Sequence, residues 1–212
     1  MKKILLVAAL AILSLTVNAQ EKSKGLQGVW FATSQLGYQQ TKIGDVKSTN
    51  FTILPIVGNF ISPSVAIGAG IGYVNVKSEN ASTTLANTGL IVVQPLVRKY
   101  WNVAGSLYFF GQLAAPIISG KEKESDLKVS QLGLAVSGGF DFFISKNFSV
   151  EFSYDLANFT STTLDPKSGT STTVTNFSLA HVATVESTYN GALGGSMPNL
   201  ISPISVGFKF FF

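Results

Sequence analysis

Residues 65–73 alternate with a period of two. Val65, Ile67, Ala69, Ile71 and Tyr73 stand between Ala66, Gly68, Gly70 and Gly72. Successive side chains of a β-strand point to opposite faces, so this is a strand with one bulky and one thin face. The alternation returns three times. Leu132, Leu134, Val136, Phe140 and Phe142 interleave with Gln131, Gly133, Ala135, Ser137, Gly139 and Asp141. Phe148, Val150, Phe152, Tyr154 and Leu156 interleave with Ser149, Glu151, Ser153, Asp155 and Ala157. At the chain end, Ile204, Val206, Phe208, Phe210 and Phe212 interleave with Ser205, Gly207, Lys209 and Phe211. One face is large and apolar; the other, Phe211 excepted, is mostly small, polar or charged.

Carried along the chain, this reading predicts eight strands: Leu26–Leu36, Asn50–Phe60, Ser64–Lys77, Thr88–Trp101, Gly105–Ser119, Lys128–Ile144, Phe148–Phe159 and Ile201–Phe212. The faces of the first and fifth are not set by their pattern. Two environments accept such strands. A soluble ligand-binding barrel turns the apolar face inward; a membrane barrel turns it outward against lipid. The connections favour the membrane. Short ones, at 61–64, 101–104 and 144–147, alternate with long polar ones, Tyr38–Ser48, Ser78–Ala86, Gly120–Leu127 and Ser161–Asn199. Outer-membrane barrels have short periplasmic turns and longer outer loops. Phe60, Tyr100, Trp101, Phe142, Phe143 and Phe148 lie beside the short turns, where an interfacial aromatic girdle belongs. The expected fold is all-β: a closed antiparallel up-and-down transmembrane β-barrel of eight strands, both termini periplasmic.

Composition narrows the picture further. Ser48–Val76 carries no charge over 29 residues, but its prolines, glycines and period of two exclude a transmembrane helix. Charged residues make up 12% of the chain, against about 25% in soluble domains. Sixteen Phe and 46% apolar content exclude disorder, and the lack of Cys excludes a disulfide scaffold, a Cys-ligated zinc site and a Cys nucleophile. Residues 1–19 have a basic start (Lys2, Lys3), an apolar run (Ile4–Leu15) and the small-residue site Val17-Asn18-Ala19, the pattern of a cleaved secretory signal. The barrel domain is then 20–212. Loss of Lys2 and Lys3 leaves thirteen basic against eleven acidic residues and no basic block, so no nucleic-acid partner is expected.

The end Val206-Gly207-Phe208-Lys209-Phe210-Phe211-Phe212, together with the segments Phe51–Phe60 and Pro95–Tyr100, resembles the outer membrane beta-barrel domain family of Gram-negative bacteria, small eight-stranded proteins of the OmpA/OmpX type. The resemblance implies residence in the cell outer membrane and contact with its lipid and lipopolysaccharide. It also implies a C-terminal assembly signal, Phe208, Phe210 and Phe212, read by the barrel-assembly machinery. Asn59, where relatives carry an aromatic, and a long stretch before the last strand depart from the pattern.

An eight-stranded barrel is only wide enough to be filled by side chains. By the strand faces, Arg98, Asp141, Glu151, Asp155 and Lys209 point inward as a lumenal charge network, with Glu151–Lys209 the leading pair, serving as a static plug or a gate. Lys99 falls on the lipid-facing parity, beside a turn. No cofactor or metal site is expected. His181 is the one His, and with Ser178 and Glu186 it offers only a weak hydrolase pattern. Glu122, Glu124 and Asp126 alternate with Lys121, Lys123 and Lys128, a solvated loop or an outer-leaflet contact for a divalent cation or lipopolysaccharide. The reading is a monomeric, non-enzymatic integral outer-membrane barrel with an envelope-structural or surface-interaction role and at most a narrow pore. The alternatives are a barrel enzyme acting on membrane lipid and the soluble periplasmic barrel.

Overall fold

The computed structural model describes residues 25–81, 83–179 and 205–212. The expected signal segment (residues 1–19), His181 and Glu186 lie outside the described residues, as does most of the stretch before the last strand. Ten segments form one sheet: β1 (Trp30–Ile43), β2 (Val46–Phe60), β3 (Val65–Asn80), β4 (Thr83–Ala104), β5 (Leu107–Ala114), β6 (Ile117–Glu122), β7 (Lys128–Ser145), β8 (Phe148–Asp165), β9 (Thr172–Leu179) and β10 (Ser205–Phe211). All pairings are antiparallel. β5 and β6 both lie between β4 and β7, so they share one wall position, interrupted at Ala115-Pro116. β9 and β10 both pair with β8, at its far and near parts, and share another. The wall therefore has eight positions. It closes through Phe31↔Phe211, Ala32↔Phe210 and Thr33↔Lys209, and Trp30 and Phe212 exchange backbone hydrogen bonds of 2.9 and 3.0 Å.

The barrel is built inside out. Ile67, Ile71, Ile91, Leu132, Phe140, Phe152 and Phe208 are all exposed on its outer surface. Their strand neighbours Ala66, Val92, Asp141 and Lys209 are buried in the lumen. Trp30, Trp101, Phe109, Phe142, Phe148 and Phe210 ring the base on the outside; Tyr38, Phe51, Tyr73, Phe159 and Phe177 form a second ring above them. The rings are eight residues apart on β1 (Trp30 to Tyr38) and eleven on β8 (Phe148 to Phe159). At about 3.3 Å per residue and a tilt of roughly 40°, that is about 20–28 Å of height, matching the ~25 Å apolar band of an outer-membrane barrel. No helix among the described residues is long and apolar enough to cross a membrane; the strands do it.

Four expectations are corrected. Phe60 and Tyr100 are not girdle residues: both are buried, and Phe143 packs with them inside. Tyr100 has the parity of inward Arg98, and Phe60 that of inward Leu54 and Ile56. The connections Tyr38–Ser48 and Ser78–Ala86 are not long loops. Their strands continue as a ladder past the upper ring, to a tight turn at Gly44-Asp45 and to the pair Asn80↔Thr83, and β8 likewise runs on to Asp165. Above the membrane both faces of a strand meet water, so alternation vanishes although pairing persists. Third, the fifth strand is split, because Pro116 supplies no N–H to the ladder. Fourth, a β-bulge opposite Val136 and Ser137 leaves Leu156 unpaired and puts Ala157 across from outward-facing Val136.

Room for inward rings comes from glycine. The Phe31 ring lies over its cross-strand partner Gly58, where a Cβ would collide with ring carbons and with the Ile67 carbonyl. Gly58→Val therefore overpacks the lumen. We expect a loss of about 1–3 kcal/mol or more, read as a lower urea midpoint for the transition between heat-modifiable folded and unfolded bands on gels.

Candidate functional site

The lumen is layered. At the base, Phe31, Phe60, Tyr100, Phe110, Phe143 and Phe211 pack ring against ring, with centroid separations of 6.0 Å for Phe31–Phe60, 5.2 Å for Phe60–Tyr100, 5.9 Å for Tyr100–Phe110 and 4.7 Å for Phe143–Phe211. Two residues further along their strands, Arg98 follows Tyr100, Asp141 follows Phe143 and Lys209 follows Phe211, so the charges form the next layer. Leu54, Ile56, Val92, Leu96 and Ala114 continue the buried core beyond it.

Within the charged layer the partners are well defined. The Lys209 ammonium donates to Asp141 Oδ2 at 2.5 Å, Glu151 Oε2 at 2.6 Å and the Tyr100 hydroxyl at 2.9 Å, using all three of its protons. The Arg98 guanidinium forks onto Glu151: Nη1 bonds Oε2 and Nη2 bonds Oε1 at 3.2 Å. Its Nε and Nη2 also donate to Gln112 Oε1 at 3.0 and 2.6 Å, and Gln112 Nε2 donates to Ser137 Oγ at 3.3 Å. Tyr100 donates its own proton to Asp141 Oδ2 at 3.2 Å. The Arg98 guanidinium carbon lies 4.1 Å from the Phe110 ring centroid, within cation–π range. Two cations and two carboxylates leave the layer with no net charge. Asp141 Oδ1 and buried Ser149 Oγ make no hydrogen bond among the described residues.

Each element supplies its member for a local reason. Asp141 and Glu151 are cross-strand partners on the β7–β8 hairpin. Arg98 and Gln112 are cross-strand partners on β4 and β5. Lys209 enters from the last strand, opposite Ser149 and Thr33. Of the five lumenal candidates, Arg98, Asp141, Glu151 and Lys209 thus meet. Asp155 does not join them: it is half-buried across from Ser137, four residues up β8 from Glu151, and makes no ion pair among the described residues. Tyr100, which the sequence suggested for the girdle, completes the network together with Gln112 and Ser137, neither of which the sequence marked as a member. Phe208, Phe210 and Phe212 all project outward. Lys99 reaches Ser64 Oγ at 2.9 Å across the base turn. Among the described residues no group of three His, Cys, Asp or Glu is placed to hold a metal ion.

A second polar centre lies at the rim. Glu122, at the end of β6, accepts from the amides of Asn87 (2.9 Å), Glu124 (3.0 Å) and Ser125 (2.5 Å) and from the Ser125 hydroxyl (2.5 Å). Burial opposes its charge, but these four donors outweigh that and hold the carboxyl down at about 2.

No family model matches the sequence, and no curated protein matches it. Among solved structures, the outer membrane protein OprG from Pseudomonas aeruginosa superposes with a TM-score of 0.48 at 11% identity, over 90% of this chain and 99% of that one. The fold assignment rests on this chain's own closed ladder.

Removing one member of the lumenal layer leaves a buried charge uncompensated, which costs about 3–5 kcal/mol. Lys209→Met should therefore lower the urea midpoint strongly. Adding Asp141→Asn to it should recover part of the loss, and a double variant no better than the single would contradict the coupling. At the rim, the Glu122 carboxyl is lowered from 4.5 to about 2. Its contribution is thus complete above pH 4.5 and lost as pH falls towards 2. Hydrogen exchange at residues 122–127 should accelerate over that window, and Glu122→Gln should exchange fast at every pH.

Proposed function

We propose that the protein is a non-enzymatic, monomeric outer-membrane barrel whose lumen is closed to bulk diffusion. Its work, envelope-structural or surface-interacting, falls to the ladders above the membrane. The observation that carries this reading is the layered lumen: an aromatic base beneath a neutral set of charges whose ammonium and guanidinium groups are all engaged. A pore for solutes needs an open, wet path, and here rings and ion pairs occupy it. The ladders favour the interaction role, since β1–β4 continue beyond the upper ring with polar, paired strands that expose side chains on both faces. The partners this implies are outer-leaflet lipid and lipopolysaccharide around the wall, and the barrel-assembly machinery at Phe208, Phe210 and Phe212 during insertion.

The static reading of the charge layer is favoured over a gate, because none of its cations lacks a counter-charge. Planar-bilayer recording of the refolded protein should give no steps or only small ones; large, long-lived open channels would overturn the closed lumen. Acyl release from phospholipid or lipopolysaccharide should be absent for both the wild type and His181→Ala. Turnover that disappears in His181→Ala would replace this reading with an enzyme.

A further inference from the structure

At the rim, the β6–β7 and β8–β9 hairpins flank an open depression of about 470 Å³ lined by Lys121, Asp126, Lys128, Asp165, Pro166 and Lys167. Every lining residue but the proline carries a charge, three positive and two negative. Lys121, Lys128 and Asp165 form a row across three strands, since Lys121 is paired with Lys128 and Lys128 with Asp165. Buried Glu122 turns inward with Thr88, its partner on β4, so the row projects from the outer face of the wall.

Like charges directly opposite on neighbouring strands destabilise the pair. The structure answers the Lys121–Lys128 opposition only in part. Asp126, held at the hairpin tip with φ +54°, accepts from Lys121 Nζ at 2.8 Å and from Lys167 Nζ at 3.3 Å. It thereby gathers ammonium groups from two hairpins. Asp165 accepts the Ser171 hydroxyl at 2.5 Å. The Lys128 ammonium makes no ion pair or hydrogen bond among the described residues, although it lines the same depression. The lining thus holds one positive charge in excess, and Lys128, although Asp165 stands opposite it, closes no ion pair among the described residues.

We infer that this depression is a binding site for a phosphate-type anion, with Lys121, Lys128 and Lys167 as its donors. A tetrahedral dianion offers several strong acceptors to ammonium groups arriving from different directions, and lysine binds phosphate as a point charge. It relieves the Lys121–Lys128 repulsion and supplements Asp126 as the shared acceptor. Lys128 stands sixteen residues beyond Ile144 on β7. At about 3.4 Å per residue and a tilt of roughly 40°, that is about 40 Å above the base, some 15 Å clear of a ~25 Å apolar band. A phosphorylated sugar of outer-leaflet lipopolysaccharide reaches this height, and so does free phosphate. The inference rests on the proposed function for the direction in which the rim faces.

The test uses the full mature chain refolded in detergent, with inorganic phosphate titrated by calorimetry and lipopolysaccharide, intact or dephosphorylated, captured on the immobilised protein. Lys128→Ala/Lys167→Ala should weaken both at least tenfold. Lys42→Ala/Lys47→Ala, an opposed lysine pair on the β1–β2 hairpin outside the depression, should leave both unchanged. Retention of intact but not dephosphorylated lipopolysaccharide, with weaker binding of free phosphate, assigns the site to the glycolipid. Equal binding of both phosphate sources assigns it to a soluble anion. Wild-type binding of phosphate no tighter than of chloride, or equal binding by Lys128→Ala/Lys167→Ala, overturns the inference. The heat-dependent gel shift of each variant reports the barrel separately, so lost binding with a retained shift falls on the site. Conductance, which tests the closed lumen, stays independent of both.

Discussion

Hydrocarbon offers a backbone amide nothing to bond, and every other feature of this protein follows from that. A sheet inside a bilayer must close on itself, because an open edge in lipid strands costly polar groups. Closure is made where Phe31–Thr33 pair with Lys209–Phe211 and where Trp30 and Phe212 exchange their backbone hydrogen bonds. Once the wall is a cylinder in lipid, the apolar faces must look outward, and whatever remains must fill a narrow interior.

That interior is not the polar tube a simple alternation suggests. Its base is aromatic and much of its core aliphatic, with the ion-paired groups gathered in one layer between them. Such confinement is tolerable only because the layer is electrically neutral and its donors are matched to acceptors. Desolvation of an ion is offset only by excellent geometry and further hydrogen bonds, and Lys209 with three partners and Arg98 with a fork on Glu151 supply both. Tyr100 belongs to both layers, its ring in the aromatic base and its hydroxyl among the charges.

The sequence was legible where the two faces differ chemically. On β3, β7 and β10 the bulky and thin sides separate cleanly, and the inward places of Arg98, Asp141, Glu151 and Lys209 follow from parity alone. On β2 the inward residues Leu54, Ile56 and Phe60 are as apolar as the outward Ile53 and Val57, so the alternation is silent and Phe60 passes for a girdle residue. Tyr100 was readable in principle, being two residues from Arg98 and therefore on its face. Above the upper ring, water bathes both sides, and polar strands such as Gln39–Ile43 and Val46–Asn50 look like loop. The bulge at Leu156 shifts parity along β8 without a proline or glycine to mark it. Which charges meet depends on register between strands distant in sequence, and a single chain does not display that.

The place of Lys209 on the final strand has a consequence for how the molecule comes together. Asp141 and Glu151 face each other across β7 and β8, so this hairpin on its own carries two carboxylates in opposition. Neither of the cations that quiet them belongs to it: one comes from β4, and the other arrives only when the last strand docks. A sheet with its final seam unzipped is therefore electrostatically frustrated at its own centre, and sealing the seam removes that frustration in the same event. The ion layer so acts as a latch, rewarding the finished cylinder over the nearly finished one and making the last step of assembly cooperative.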